Sequence, residues 1–153
     1  METIIKNVRS VTEYRHINQK TLALKSHVSR NTINKFFSPN RSINPRLSTL
    51  VNIARALNIN LVQLFNKYID LNDFYDKDMD LEQYLNIFTQ NTKLQIRGSK
   101  QKFLSSDPGI EESTISSLLS HTTSDPKLST LTAVSVQLDI DLTILFKRGG
   151  NTI

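Results

Sequence analysis

Residues 19–33 read Gln19-Lys20-Thr21-Leu22-Ala23-Leu24-Lys25-Ser26-His27-Val28-Ser29-Arg30-Asn31-Thr32-Ile33, and the punctuation of this stretch decides the fold. Asn18, just before it, offers a side-chain oxygen that can cap a helix over 19–26, which would bury Leu22 and Ala23. His27-Val28 leaves room only for a tight connection. Ser29 can cap the next helix, which runs to about Ser38 and turns Ile33, Phe36 and Phe37 inward. The pattern predicts two short helices joined by a brief turn, with small and apolar residues where they touch.

Working outward, the stretch 3–15 spaces Ile4, Val8 and Val11 for one buried helical face. Downstream, Pro39 and Pro45 bracket a polar loop. Ser48 starts a helix burying Leu50, Ile53, Ala54 and Leu57, and Asn60 caps a last one burying Leu64 and Phe65. Five short helices are expected here. With four Gly and four Pro in 153 residues, and apolar residues at helical rather than alternating spacing, the fold class expected for the whole chain is all-α.

An internal repeat sets the domain plan. Pro45-Arg46-Leu47-Ser48-Thr49-Leu50 recurs 81 residues later as Pro126-Lys127-Leu128-Ser129-Thr130-Leu131. Leu57, Ile59, Leu61, Leu64 and Phe65 fall on Leu138, Ile140, Leu142, Leu145 and Phe146 at the same offset. Upstream the offset becomes 82, which sets Gln19, Leu22, Val28, Thr32 and Ile33 on Gln101, Leu104, Ile110, Thr114 and Ile115. The expected organisation is a first domain over 1–69, an acidic linker over 70–82 whose Leu71, Phe74 and Tyr75 pack it against one or both copies, and a diverged second copy over 83–153.

Charge is divided as unevenly as the sequence is repeated. Up to Ile69 there are eleven Lys and Arg against Glu2 and Glu13, a net +9; from Asp70 onward eight cations face twelve carboxylates, a net −4. The first half is suited to a polyanion. There is no Cys, which excludes disulfides, thiolate metal sites and Cys nucleophiles, and nothing argues for an oxidising compartment. The N-terminus has no unbroken apolar run, and no stretch approaches the roughly 18 apolar residues that span a bilayer, so the cytoplasm is the expected location.

With Ile33, Phe36 and Phe37 inward, the opposite face of the helix after Ser29 shows Arg30, Asn31, Asn34 and Lys35. Arg and Lys suit the acceptors of guanine and Asn suits adenine, so this face has the chemistry to read a major groove. The run from Gln19 to Ile33, followed by the helices from Leu50 to Phe65, resembles the Cro/CI (Xre) family of helix-turn-helix repressors over about residues 8–67, and more weakly over 85–147. The resemblance implies two tandem five-helix lambda-repressor-like domains. It also sets base-reading positions on Arg30, Asn31 and Lys35, with Thr32 and Asn34 as seconds. Gln19 falls where the family contacts a phosphate at a helix N-terminus. Lys20, Ser29, Asn40, Arg41 and Arg46 are expected to grip the backbone beside it. His27 departs from the family, which often has Gly at the turn; His can adopt the left-handed conformation at some cost. Family members are often encoded on phages, plasmids and other mobile elements and generally pair into dimers on palindromic operators.

The second copy presents Glu112 for Arg30, Ser113 for Asn31 and Ser117 for Lys35, with Glu111 in place of Ser29. Carboxylates there repel phosphates. Gln101, between Lys100 and Lys102, keeps only a weak backbone contact available, so dimerisation or binding of another protein is the expected use. Metal and catalytic signals are poor. Asp76-Lys77-Asp78-Met79-Asp80 opens like a calcium loop but has Leu81 and Ile87 at its sixth and twelfth positions. His16, His27 and His121 lack ligand partners, and no phosphate-cradling Gly loop or nucleophile elbow is present. The expected function is a sequence-specific regulator of transcription, a repressor, that reads the major groove of double-stranded operator DNA with the helix after Ser29 and pairs as a homodimer, with no cofactor and no enzymatic activity. An inhibitor or antirepressor acting through the acidic second domain is the alternative, and nonspecific architectural binding is a third reading that the Asn-rich helix disfavours.

Overall fold

Polar side chains start three of the helical segments of the first half, after Asn18, Ser29 and Asn60. A computed structural model of the chain describes residues 1–98, 112–120 and 123–149. These residues are helical, without a strand among them, and the chain divides into two compact units, Met1–Met79 and Asp80–Ile153.

In the first unit, α1 (Glu2–Tyr14) buries Ile4, Asn7, Val8, Val11 and Thr12, one stripe at 3.6-residue spacing. It ends where His16 takes a left-handed φ of 52° and the His16 and Ile17 amides return to the Glu13 and Thr12 carbonyls, a Schellman closure. The next helix, α2 (Gln19–Ser26), opens on Asn18, whose Oδ1 accepts from the Thr21 amide at 2.8 Å. α3 (Arg30–Phe37) opens on Ser29, whose Oγ accepts from the Thr32 amide at 3.2 Å. α4 (Leu47–Leu57) buries Leu47, Leu50, Val51, Ile53, Ala54 and Leu57. It begins one residue before Ser48 and has no side-chain cap. The last predicted helix is a single 3-10 turn, Leu61–Leu64, with Asn60 accepting from the Val62 amide. The tighter turn suffices to bury Leu61 and Leu64.

His27 ends α2 with φ 55°, its amide returning to the Leu24 carbonyl at 3.4 Å. The side chain is exposed, so the left-handed backbone is not offset by packing. His27→Gly should therefore stabilise the first unit by about 1 kcal/mol, less the entropy glycine adds to the unfolded chain, seen as a higher urea midpoint at an unchanged slope. A lower midpoint would show that the ring is held by contacts on which the turn depends.

The residues predicted as a linker divide between the units. Residues 70–79 belong to the first. The Asp73 carbonyl accepts from the Asn60 amide at 2.8 Å, and its carboxylate accepts from Gln63 Nε2 at 2.7 Å. Gln63 Oε1 in turn accepts from the Asp70 amide at 2.9 Å. The Arg15 guanidinium donates to the Leu57, Asn58 and Leu71 carbonyls and stands 5.9 Å from the Phe74 ring. Tyr75 and Met79 are buried, Tyr75 donates to the Met79 carbonyl, and the Arg55 guanidinium stacks 5.4 Å over the Tyr75 ring. Phe74, by contrast, is exposed.

In the second unit, Asp80 and Gln83 form a reciprocal capping box, each side chain accepting from the other's amide at 2.9 and 2.8 Å, and start α5 (Leu81–Gly98). α6 (Glu112–Leu119) buries Ile115 and Leu118; α7 (Leu128–Leu138) buries Leu128, Leu131 and Val134; α8 (Leu142–Leu145) buries Leu145. Phe88 of α5 packs on Phe146 with ring centroids 5.0 Å apart. Lys100, Gln101, Lys102, Leu104, Ile110, Glu111 and His121 lie outside the described residues.

One device occurs in both units. Asn7 of α1, 2% exposed, donates through Nδ2 to the Gln63 and Leu64 carbonyls at 3.1 Å and to Asn66 at 2.7 Å. Asn91 of α5, 6% exposed, donates to the Ile144, Leu145 and Lys147 carbonyls at 3.4, 3.0 and 3.0 Å. Each ties the first helix of its unit to the final turn. Asn58 and Asp139 close α4 and α7 with φ 52° in the same Schellman geometry, and Asn60 and Asp141 cap the turns that follow.

Candidate nucleic-acid interface

The sequence of α3 dictates which side chains are available. Ile33 and Phe36, three residues apart, fix the buried side. Arg30 with Asn34, and Asn31 with Lys35, then form two columns at four-residue spacing, and all four are exposed. Thr32 differs from them. It is half-buried, and its hydroxyl lies 2.8 Å from Ser29 Oγ, so it shares the N-terminal cap. Phe37, expected inward, is half-buried because it sits about 100° round the helix from Phe36 at the edge of the stripe.

Arg9 of α1 fastens the far end of this helix. Its Nε donates to the Phe36 carbonyl at 2.7 Å, a cation on an orphan carbonyl at the negative end of the helix dipole. Ser38 Oγ also bonds back, to the Asn34 carbonyl at 2.8 Å. With Ser29 at one end and Arg9 at the other, both termini of α3 are held, which is what a helix needs if its side chains are to meet base edges in register. Sequence reading missed Arg9; a basic residue on a surface helix gives no sign of its carbonyl partner 27 residues away.

The residues expected at phosphates lie on several elements. Gln19 is the first residue of α2, half-buried in an open cleft that Arg9, Asn18, Phe37 and the carboxylate-bearing Glu13 also line. Lys20 beside it is exposed, as is Ser29. Asn40, with φ 61°, and Arg41 are exposed in the loop after α3, and Arg46 is exposed at the start of α4. Of the second unit's corresponding residues, Glu112 and Ser113 begin α6 and Ser117 is half-buried within it.

Among the described residues, no group of three or more His, Asp or Glu is arranged to hold a metal ion, and no helix is long and apolar enough to cross a membrane. The chain matches no curated protein and no solved structure. Residues 15–64 do match a family model, described as helix-turn-helix, so the first unit carries a helix-turn-helix of the type found in DNA-binding regulators, a family of binding domains and not of enzymes.

Proposed function

We propose that the chain is a sequence-specific regulator of transcription, a repressor, that occupies double-stranded DNA with α3 of its first unit in the major groove. Arg30, Asn31, Asn34 and Lys35 read base edges, with Thr32 at the margin of the contact. Gln19, Lys20, Ser29, Asn40, Arg41 and Arg46 take the flanking phosphates. The observation that carries this reading is the α3 face itself: two columns of guanine- and adenine-matching side chains, exposed on a helix tied down at both ends, in a half-chain of net +9. The second unit is a diverged copy of the first. The shared asparagine clamp, left-handed helix ends and capped final turns support common descent of the two. Its role is to pair two chains, since a two-fold protein is what a palindromic operator requires.

A selection from random double-stranded DNA with the purified full chain, at about 150 mM salt, tests this. The expected product is an inverted repeat whose half-sites are centred about one helical turn apart, or a multiple of it. A pool that stays random, or a tightest affinity equal for all sequences, would overturn it.

A further inference from the structure

The two units differ on one side of their last helices. In the first, Val51 and Ile59, four residues either side of Arg55, are 1% and 0% exposed, and Gln63 is 6% exposed. The polar groups here hold residues 70–79: Arg55 to Tyr75, Asn60 and Gln63 to Asp73. In the second unit the same side carries Thr132, Val136, Ile140 and Ile144. Val136 is 72% exposed, Thr132 is exposed, and Ile140 and Ile144 are half-buried.

The exchanges have a direction. Valine stands where Arg55 stood and isoleucine where Gln63 stood, so the donors that hold a polar segment are replaced by hydrocarbon. A solvent-facing valine, with two half-buried β-branched residues four and eight positions after it, suits an apolar partner. Charge selects which partner. Exposed Asp139 and Asp141 lie at one end of the final turn and exposed Lys147 and Arg148 at the other. Such a surface is complementary to itself: a two-fold axis brings the acidic end of one copy to the basic end of the next while the apolar residues meet between them.

We propose that two copies of the chain pair through this face of the second unit, centred on Val136, Ile140 and Ile144. The proposal rests on the paired-regulator reading above and adds where the pairing occurs. The patch is small for a permanent dimer, so the association is of the weak, reversible class that a shared operator reinforces.

Sedimentation velocity of the full chain at concentrations up to about 100 µM tests the face. The wild type is expected to show a monomer–dimer equilibrium, and Val136→Glu to raise the dimer dissociation constant at least about tenfold with an unchanged melting temperature, because the side chain is mostly in solvent. Lys147→Glu should weaken the dimer several-fold, less so at high salt. A dimer indifferent to Val136→Glu overturns this face and leaves the DNA reading intact, and a chain that is monomeric throughout also overturns it. In operator selection, measured separately, enrichment of a half-site sequence reports on α3 whatever the state of this face.

Discussion

Replacing Arg30 and Asn31 together by alanine is expected to lower affinity for the selected operator at least about a hundredfold, while binding to random duplex falls only by the loss of one charge. Each bidentate base contact is worth roughly 1–3 kcal/mol of discrimination, so two lost contacts at the middle of that range, roughly 4 kcal/mol together, account for that factor even if they are not fully additive. Both side chains are exposed and neither caps nor braces α3, so the melting temperature should not move. Arg41→Ala is the contrasting variant in the same titration. As a phosphate contact it should weaken operator and random duplex alike and reduce the slope of log affinity against log salt by about one. If Arg30→Ala/Asn31→Ala behaves like Arg41→Ala, α3 touches DNA without reading it.

What could be read in advance, and what could not, follows from the range of the interactions involved. Asn18, Ser29 and Asn60 act on amides two or three residues away, so their roles were visible in sequence and their bonds are present. Ile33 and Phe36 declared the buried side of α3 by spacing alone. Residues 70–79 were legible only in part, for the opposite reason. Leu71, Phe74 and Tyr75 mark a linker that packs against a neighbouring copy, and Tyr75 is buried, but Asp73 and Asp70 are satisfied by Asn60 and Gln63, and Leu71 by Arg15, none of which a local pattern connects. The start of α5 was within reach: Asp80 and Gln83, three apart, have the spacing of a capping box. Arg9 and Arg15 looked like contributors to the +9 field, yet each donates to backbone carbonyls, so part of that field also braces the fold.

Asn7→Ala is the largest expected effect on stability, a loss of about 3 kcal/mol from the first unit. Asn7 is a polar residue inside the apolar stripe of α1, which periodicity reads as an interruption and the structure shows to be a clamp. Its Nδ2 has two hydrogens shared among three carbonyls, at residues 63, 64 and 66, two of the bonds being buried. Alanine removes the donor and leaves buried acceptors unpaired, at roughly 1–3 kcal/mol each, in a space where water must replace the amide to recover any of it. Leucine would fill the volume but not the need, and should be no better than alanine. The loss should appear as a lower urea midpoint for the transition that reports the first unit, with the slope preserved. Asn91→Ala should act the same way on the second unit. Because the two clamps lie in separate compact units, the double variant should lower both transitions without either substitution worsening the other's effect. A coupling of more than about 1 kcal/mol between them would mean that the units unfold as one body and that the clamps serve a common core.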